Sequence, residues 1–353
     1  MGKFISLFSG VGGIDLGMEQ AGHECVAQVE WDKNAAGVLK HRWPNVPLFC
    51  DVSKVSADNL PDADFITYGF PCQDLSVAGK REGLDGKRSG LFYEATRLIR
   101  ELRSRGCGLR FAVAENVGGL FSADDGVALA RCIRELLDCG ACETGWRLFD
   151  SQYFGVAQRR KRVFIVSDFG GESVDEILAI TESLPGYPAP SREAGKGTAG
   201  DAGESVGEVV SWNGDITPKA SEDVSVTLRS QQGGEGVGVA FTASDRSNKA
   251  AWEGDISGTI NCQMNSESSN LQMGVRENLT VRRLTPIECE RLQGFPDNWT
   301  SEKMEVVLEG NEWKATGKVL KQADGPRYKQ MGNAITVNVG AWIGKQIGKV
   351  LSK

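Results

Sequence analysis

Short apolar runs recur along the first half of the chain at residues 4–8, 25–29, 65–70, 111–114 and 163–166. Between them lie segments with helical patterns, for example Ile14 and Met18, four residues apart and so on one helix face. Runs this short, rich in Val, Ile and Phe and with at most one uncharged polar residue each, predict buried strands. Their alternation with helical segments predicts an α/β protein with a doubly wound, mostly parallel sheet. From about residue 185 the texture changes to Gly, Ser, Asn and isolated acids, with Pro185, Pro188 and Pro190 at the transition. This predicts a second, smaller, β-rich domain. Within it the segment 223–231 resembles 255–263, and 212–217 resembles 252–257, as degenerate short β units. Helix grammar returns at Thr285-Pro286-Ile287-Glu288, where Thr caps, Pro takes the first helical position and Glu stands three residues after the cap. The last apolar segment, 334–351, is suited to pack on a core as strand or helix. The expected domains are residues 1–184, completed by 326–353, and residues 185–325.

Composition narrows the class. At 353 residues the chain can bury at least one large core. It has no apolar stretch of the ~20 residues that span a bilayer and no signal-peptide pattern, so the expectation is a cytoplasmic protein with no membrane partner. Nine cysteines at irregular spacing do not form a disulfide framework. The single CxxC, Cys139 to Cys142, has only Cys132 nearby and two histidines in the whole chain, so no metal site is expected. The formal charge of -7 argues against indiscriminate binding to nucleic acid. The distribution modifies that reading: residues 79–110 hold nine basic against four acidic side chains. Residues 187–281 hold seven basic against thirteen acidic ones, a surface unsuited to gripping phosphates.

Chemistry-bearing residues cluster at the ends of the apolar runs. Pro71-Cys72-Gln73 closes the third run with a thiol at a turn, and Glu115-Asn116-Val117 closes the fourth with an acid. In an open α/β sheet the carboxyl ends of the strands line the ligand crevice, so Cys72 and Glu115 can converge there. Gln158-Arg159-Arg160-Lys161-Arg162 instead enters its strand, and fold rules alone do not bring it to the same place. Ser9-Gly10-Val11-Gly12-Gly13 makes a glycine turn between the first strand and a helix, spaced GxGG and not GxGxxG. Glu30, about 20 residues on, stands where an acid commonly takes ribose hydroxyls, and Trp31 beside it offers a flat surface for an adenine. Together these suggest an adenosine cofactor.

Taken in order, these residues resemble the cytosine-5 DNA methyltransferase family of prokaryotic or phage type. The resemblance is carried by residues 4–13, Glu30, Asp51, 69–73, 115–117, 158–162, 283–288, 291–296, Tyr328 and 332–334. It leaves out only about 186–281, where the family carries its variable target-recognition region. It implies a Rossmann-like methyltransferase domain, with S-adenosylmethionine held by Phe8, Gly10, Gly12, Glu30, Trp31, Asp51 and Asn333. Asp51 would accept from the adenine amino group. Cys72 would add to carbon 6 of a flipped-out cytosine, Glu115 would hold the ring nitrogen and exocyclic amine, Arg162 the carbonyl oxygen, and Arg160 the catalytic loop or a phosphate. The implied partner is double-stranded DNA, the implied state a monomer, with a cognate restriction endonuclease as a further partner. An RNA cytosine-5 methyltransferase on the same scaffold and an inactive DNA-binding relative are the alternatives. Ser6, Leu75 and Ala157 depart from the family's usual Asp, Phe and Pro.

Overall fold

The computed structural model describes residues 1–70, 90–121, 123–180 and 284–353, with the backbone of four short strands between 209 and 282. Cys72 and the repeat-like segments 223–231 and 255–263 lie outside the described residues, as does most of 185–283.

Nine strands form one sheet. In chain order they are β1 (Lys3–Leu7), β2 (Glu24–Val29), β3 (Leu48–Phe49), β4 (Phe65–Gly69), β5 (Phe111–Val117), β6 (Glu143–Asp150) and β7 (Lys161–Asp168). Two short antiparallel pairs follow, β8 (Val209–Trp212) with β9 (Gly236–Val239) and β10 (Val275–Glu277) with β11 (Thr280–Arg282). The hairpin β12 (Glu302–Glu309) and β13 (Glu312–Lys321) completes the large sheet, whose order is β12-β13-β3-β2-β1-β4-β5-β7-β6. β3, β2, β1, β4 and β5 are parallel, and each flank of this centre ends in two antiparallel strands.

Alternate residues of the central strands serve opposite faces, as strand geometry requires. Phe4, Phe65 and Phe111 pack with Ile14 and Met18 of α1 (Gly13–Gln20) and with Ile343 and Ile347 of α8 (Val337–Leu351). Their neighbours Ile5, Ile66 and Ala112 pack with Phe92, Leu98 and Leu102 of α3 (Gly90–Arg105) and Leu129 and Leu136 of α4 (Val127–Asp138). Full burial of each such large side chain stabilises the fold by about 1.5–3 kcal/mol. Of the remaining helices, α2 (Lys33–Arg42) follows β2 and α5 (Val174–Leu178) follows β7. The capping box read at Thr285 is present and starts α6 (Pro286–Leu292), which packs on α7 (Asp324–Asn333). The segment 334–351 is the helix α8, and it lies so close to α1 that a Cβ on Gly17 would run into the backbone of Val337 and Ala341.

Two features depart from the sequence reading. The hairpin β12–β13, expected within the second domain, pairs with β3 and buries Val306 and Trp313 in the main body. The arginines of α3, read as an excess of basic charge, are engaged in the scaffold: Arg97 binds Glu94 and Glu101, Arg100 binds Glu135, and Arg105 binds Asp62 and the Leu60 carbonyl. Among the described residues no helix is long and apolar enough to cross a membrane.

Candidate active site

The chain order of the parallel strands reverses between β1 and β4, and a cavity of about 620 Å³ opens beside the carboxyl ends of β1, β2, β4 and β5. That is where an open α/β sheet places its ligand.

One end of the cavity is built on β1, β2 and β3. β1 is followed by Phe8, which adopts φ 55, and then by Gly10 at φ 58. A left-handed Phe is costly and a left-handed Gly is not, so the turn bends under strain at one position and freely at the other. A Cβ on Gly10 would meet nothing within 4 Å, so this residue leaves open space at the cavity wall. Gly12 does not line the cavity; at φ 82 it backs onto the Trp43 ring, which leaves no room for a Cβ. Glu30 is fixed by the backbone: its Oε2 accepts from the Gly10 N–H and its Oε1 from the Asp32 N–H, each at 2.7 Å. Burial pushes its carboxyl up to about 7, against the pull of these two bonds. Trp31 lines the cavity with 69% of its surface exposed, unusual for so large a ring. Asp51 also lines it; Oδ1 accepts from the Ser53 N–H at 3.0 Å and the Ser53 hydroxyl at 2.7 Å, bonds that lower its carboxyl below the usual range.

The other end is built on β4, β5 and β7. Glu115 is 9% exposed, and its Oε1 lies 3.0 Å from Arg162 Nε. Burial raises its carboxyl although Arg162, Arg160 and the hydrogen bond pull it down. Gly69 keeps the approach clear, since a Cβ there would stand 3.3 Å from Glu115 Oε2. Asn116 donates to the Phe70 carbonyl at 3.4 Å and so holds the exit of β4. Arg162 reaches Glu115 because β7 runs antiparallel to β5, with Val117 opposite Arg162. An antiparallel strand presents its beginning where its parallel neighbours present their ends.

The C-terminal segment joins the two ends. Arg160 is only 2% exposed, and its guanidinium donates to the Gly332 and Ala334 carbonyls at 3.0 and 2.9 Å, bracketing Asn333 at the cavity wall. Arg160 itself also lines the cavity. Ser6, where the family usually has Asp, donates to the buried Asp15 Oδ2 at 3.1 Å, a position at which a second carboxylate would repel the first. Residues that the sequence reading did not single out also line the cavity, among them Asp32, Asn116 and Lys329. Lys329 Nζ donates to Asp32 Oδ2 at 3.0 Å, linking α7 to the start of α2.

An adenosyl cofactor fits the first end. Each Glu30 oxygen accepts one backbone N–H and keeps lone pairs for a pair of hydroxyls, and Trp31 leaves a ring face uncovered. The volume suits a small-molecule cofactor. Fold and cavity together are those of a Rossmann-like domain with an adenosyl-sized ligand site at its topological switch point. The Type II methyltransferase M2.BsuMI of Bacillus subtilis (strain 168) is 31% identical over 98% of this chain and 75% of its own length. M.HhaI of Haemophilus parahaemolyticus, also a Type II methyltransferase, is 24% identical over 99% of this chain and 95% of its own. The S. pombe Dnmt2 methyltransferase structure superposes with a TM-score of 0.61 over the whole of both chains, at 16% identity. The family model described as C-5 cytosine-specific DNA methylase matches residues 2–349, and this chain belongs to that family. It is a DNA (cytosine-5-)-methyltransferase whose methyl donor is S-adenosylmethionine.

Proposed function

We propose that the protein methylates carbon 5 of a flipped-out cytosine within a specific double-stranded DNA sequence through a covalent bond from Cys72. The observation that carries this reading is the continuity of the cavity, which runs from Glu30 and Asp51 to the Glu115–Arg162 pair and includes Phe70 in its wall. Cys72 follows Phe70 by two residues in the sequence.

Cytosine carbon 5 is a poor nucleophile, and the reacting atoms are out of reach in a stacked duplex, so the base must leave the stack. Addition of the Cys72 thiolate to carbon 6 forms an S–C bond and moves the ring π electrons to carbon 5. Glu115, whose carboxyl burial raises, would hydrogen-bond ring nitrogen 3 and the exocyclic amine as charge develops on the ring. Arg162 orients Glu115 and offers donors to the carbonyl oxygen of the base. Bound S-adenosylmethionine supplies the methyl group, and Phe8, Gly10, Glu30, Trp31, Asp51 and Asn333 are the side chains and backbone proposed to hold it. Gly12 would act from behind, by letting the turn close on Trp43. Loss of the carbon-5 proton to a base and expulsion of the Cys72 sulfur restore the ring.

Sequence recognition is assigned to residues 186–281, of which only the backbone of the short strands β8 to β11 is described. The protein would act as a monomer, in a cytoplasm, with a restriction endonuclease as its counterpart. DNA carrying 5-fluorocytosine tests the covalent step, because fluorine cannot leave as a proton does. Wild-type protein and S-adenosylmethionine should give a denaturation-resistant complex, and a Cys72→Ala protein none; trapping by the variant sinks the assignment. Exchanging 186–281 for the matching segment of a relative with a different target should move methylation to the relative's site. A soluble chimera that keeps the original site places recognition elsewhere.

A further inference from the structure

The hairpin β12–β13 stands at the sheet edge, joined to the parallel centre through a single registered pair, Glu312 with Phe49. So slight a junction would leave a hairpin loosely attached, but its tip makes a dense set of bonds at one place. The two-residue loop is Gly310-Asn311, with Gly310 at φ 60, the conformation a tight hairpin needs in its first loop position. The Asn311 carbonyl accepts from the Cys50 N–H at 2.9 Å. The Asn311 carboxamide then pairs reciprocally with the backbone of Asp51: Oδ1 accepts from the Asp51 N–H at 2.8 Å, and Nδ2 donates to the Asp51 carbonyl at 2.9 Å. This is a β-ladder rung in which a side-chain amide replaces a peptide unit, extending the pairing past the end of β3. Asp cannot supply the donor, and Gln carries the amide one carbon too far. Two residues on, Trp313 donates its indole N–H to the Glu30 carbonyl at 2.9 Å. Further from the tip, β12 rests on α2, where Gly37 leaves no room for a Cβ against the Met304 carbonyl and Lys303 binds Asn34.

We propose that the β12–β13 hairpin is a positioning element for S-adenosylmethionine, with Asn311 and Trp313 fixing the backbone of the two cofactor acids, Asp51 and Glu30. The inference rests on the assignment of those acids to the cofactor. Neither Asn311 nor Trp313 lines the cavity, so each acts through another residue. Glu30 is already bonded to Gly10 and Asp32 through its side chain, whereas the Asp51 N–H is held by Asn311, which also shares the Asp51 carbonyl with the Lys54 N–H. Asn311 is therefore the more consequential of the two.

The test is calorimetric titration of the full-length protein with S-adenosylhomocysteine. Losing two neutral hydrogen bonds, each worth about 0.5–1.5 kcal/mol, should weaken binding about tenfold in Asn311→Ala. Trp313→Phe keeps the buried ring and loses one bond, for about threefold. At saturating S-adenosylmethionine both variants should turn over within about twofold of wild type, with the KM for DNA unchanged. Thr316→Val cuts the hairpin's bond to Glu305 far from the tip, and should lower Tm while leaving affinity within about twofold. Asp51→Ala and Glu30→Ala separate the two readings. If neither weakens binding, the acids do not hold the cofactor and the proposal falls with that assignment. If both do and Asn311→Ala binds like wild type, the hairpin proposal alone is overturned. It is equally overturned if Thr316→Val loses as much affinity as Asn311→Ala at the same loss of Tm.

Discussion

The two ends of the cavity are held by different physics. At the Glu30 end the acids are gripped chiefly by backbone N–H groups and a short hydroxyl bond, neutral donors that fix direction, with the Lys54 ammonium standing farther off, 3.5 Å from Asp51 Oδ2. At the Glu115 end one buried acid faces one arginine, with Arg160 close enough to pull on its proton. Backbone donors suit a ligand that is bound and released unchanged in shape. A buried ion pair suits a step in which charge moves, because its two partners respond to protonation and its energy depends steeply on what displaces water. The contrast predicts that substitutions at the first end change affinity and those at the second change rate.

The largest effect should come from Glu115→Gln, which keeps size and polarity and removes the ionisable carboxyl. Single-turnover methylation at saturating cofactor should fall about 10²- to 10⁴-fold, with affinity for S-adenosylhomocysteine within about twofold. A rate near wild type would erase the distinction between the ends. Arg160→Met comes next, since Arg160 serves both ends by bracketing Asn333 and by acting electrostatically on Glu115. Removing a buried charged donor pair should cost about 2–4 kcal/mol of stability in urea denaturation, and cofactor affinity and rate should fall together. A change in only one of them would show that the ends share no support.

The smallest effect is a slope. Glu30 has its carboxyl raised from 4.5 to about 7 in the folded cofactor-free protein, so between these values the native state holds more protons than the unfolded one. Stability therefore decreases as pH rises through that window, and this group's contribution is fully present only below about 4.5. Asp15, raised from 3.8 to about 6, adds to the slope in the same direction at lower pH. Urea midpoints measured from pH 5 to 8 should fall less steeply in Glu30→Gln than in wild type. Equal slopes would mean that Glu30 is ionised in the folded protein throughout.

The parallel centre was legible because strands buried on both faces leave near-continuous apolar runs, and 4–8, 25–29, 65–70 and 111–114 overlap β1, β2, β4 and β5 closely. What escaped was of two kinds. β3 has two residues and leaves no periodic trace. β6, β12 and β13 lie at the sheet flanks, half-exposed and charged, with Trp146, Leu148, Val307 and Val319 turned to solvent, so polar and apolar positions blur. The direction of a strand is not written in its apolar run either. The 158–162 segment was read as entering its strand, and only the antiparallel pairing of β7 with β5 brings Arg162 beside Glu115. Asn311 gave no signal at all, since an Asn after Gly in a charged hairpin reads as turn chemistry and nothing more.

The packing of α1 on α8 sets an order of events during synthesis. Gly17 leaves the ribosome early, and the backbone it must touch, at Val337 and Ala341, follows some 320 residues later. At about 5–20 residues per second that is an interval of roughly 15–60 s. Throughout it the side of α1 that meets α8 has no cover, and the carbonyls that Arg160 will hold do not yet exist. Contacts this distant in sequence form slowly even in a finished chain. Closure of the cavity therefore waits for the segment that carries Gly325 to Asn333, and α1 for α8 behind it.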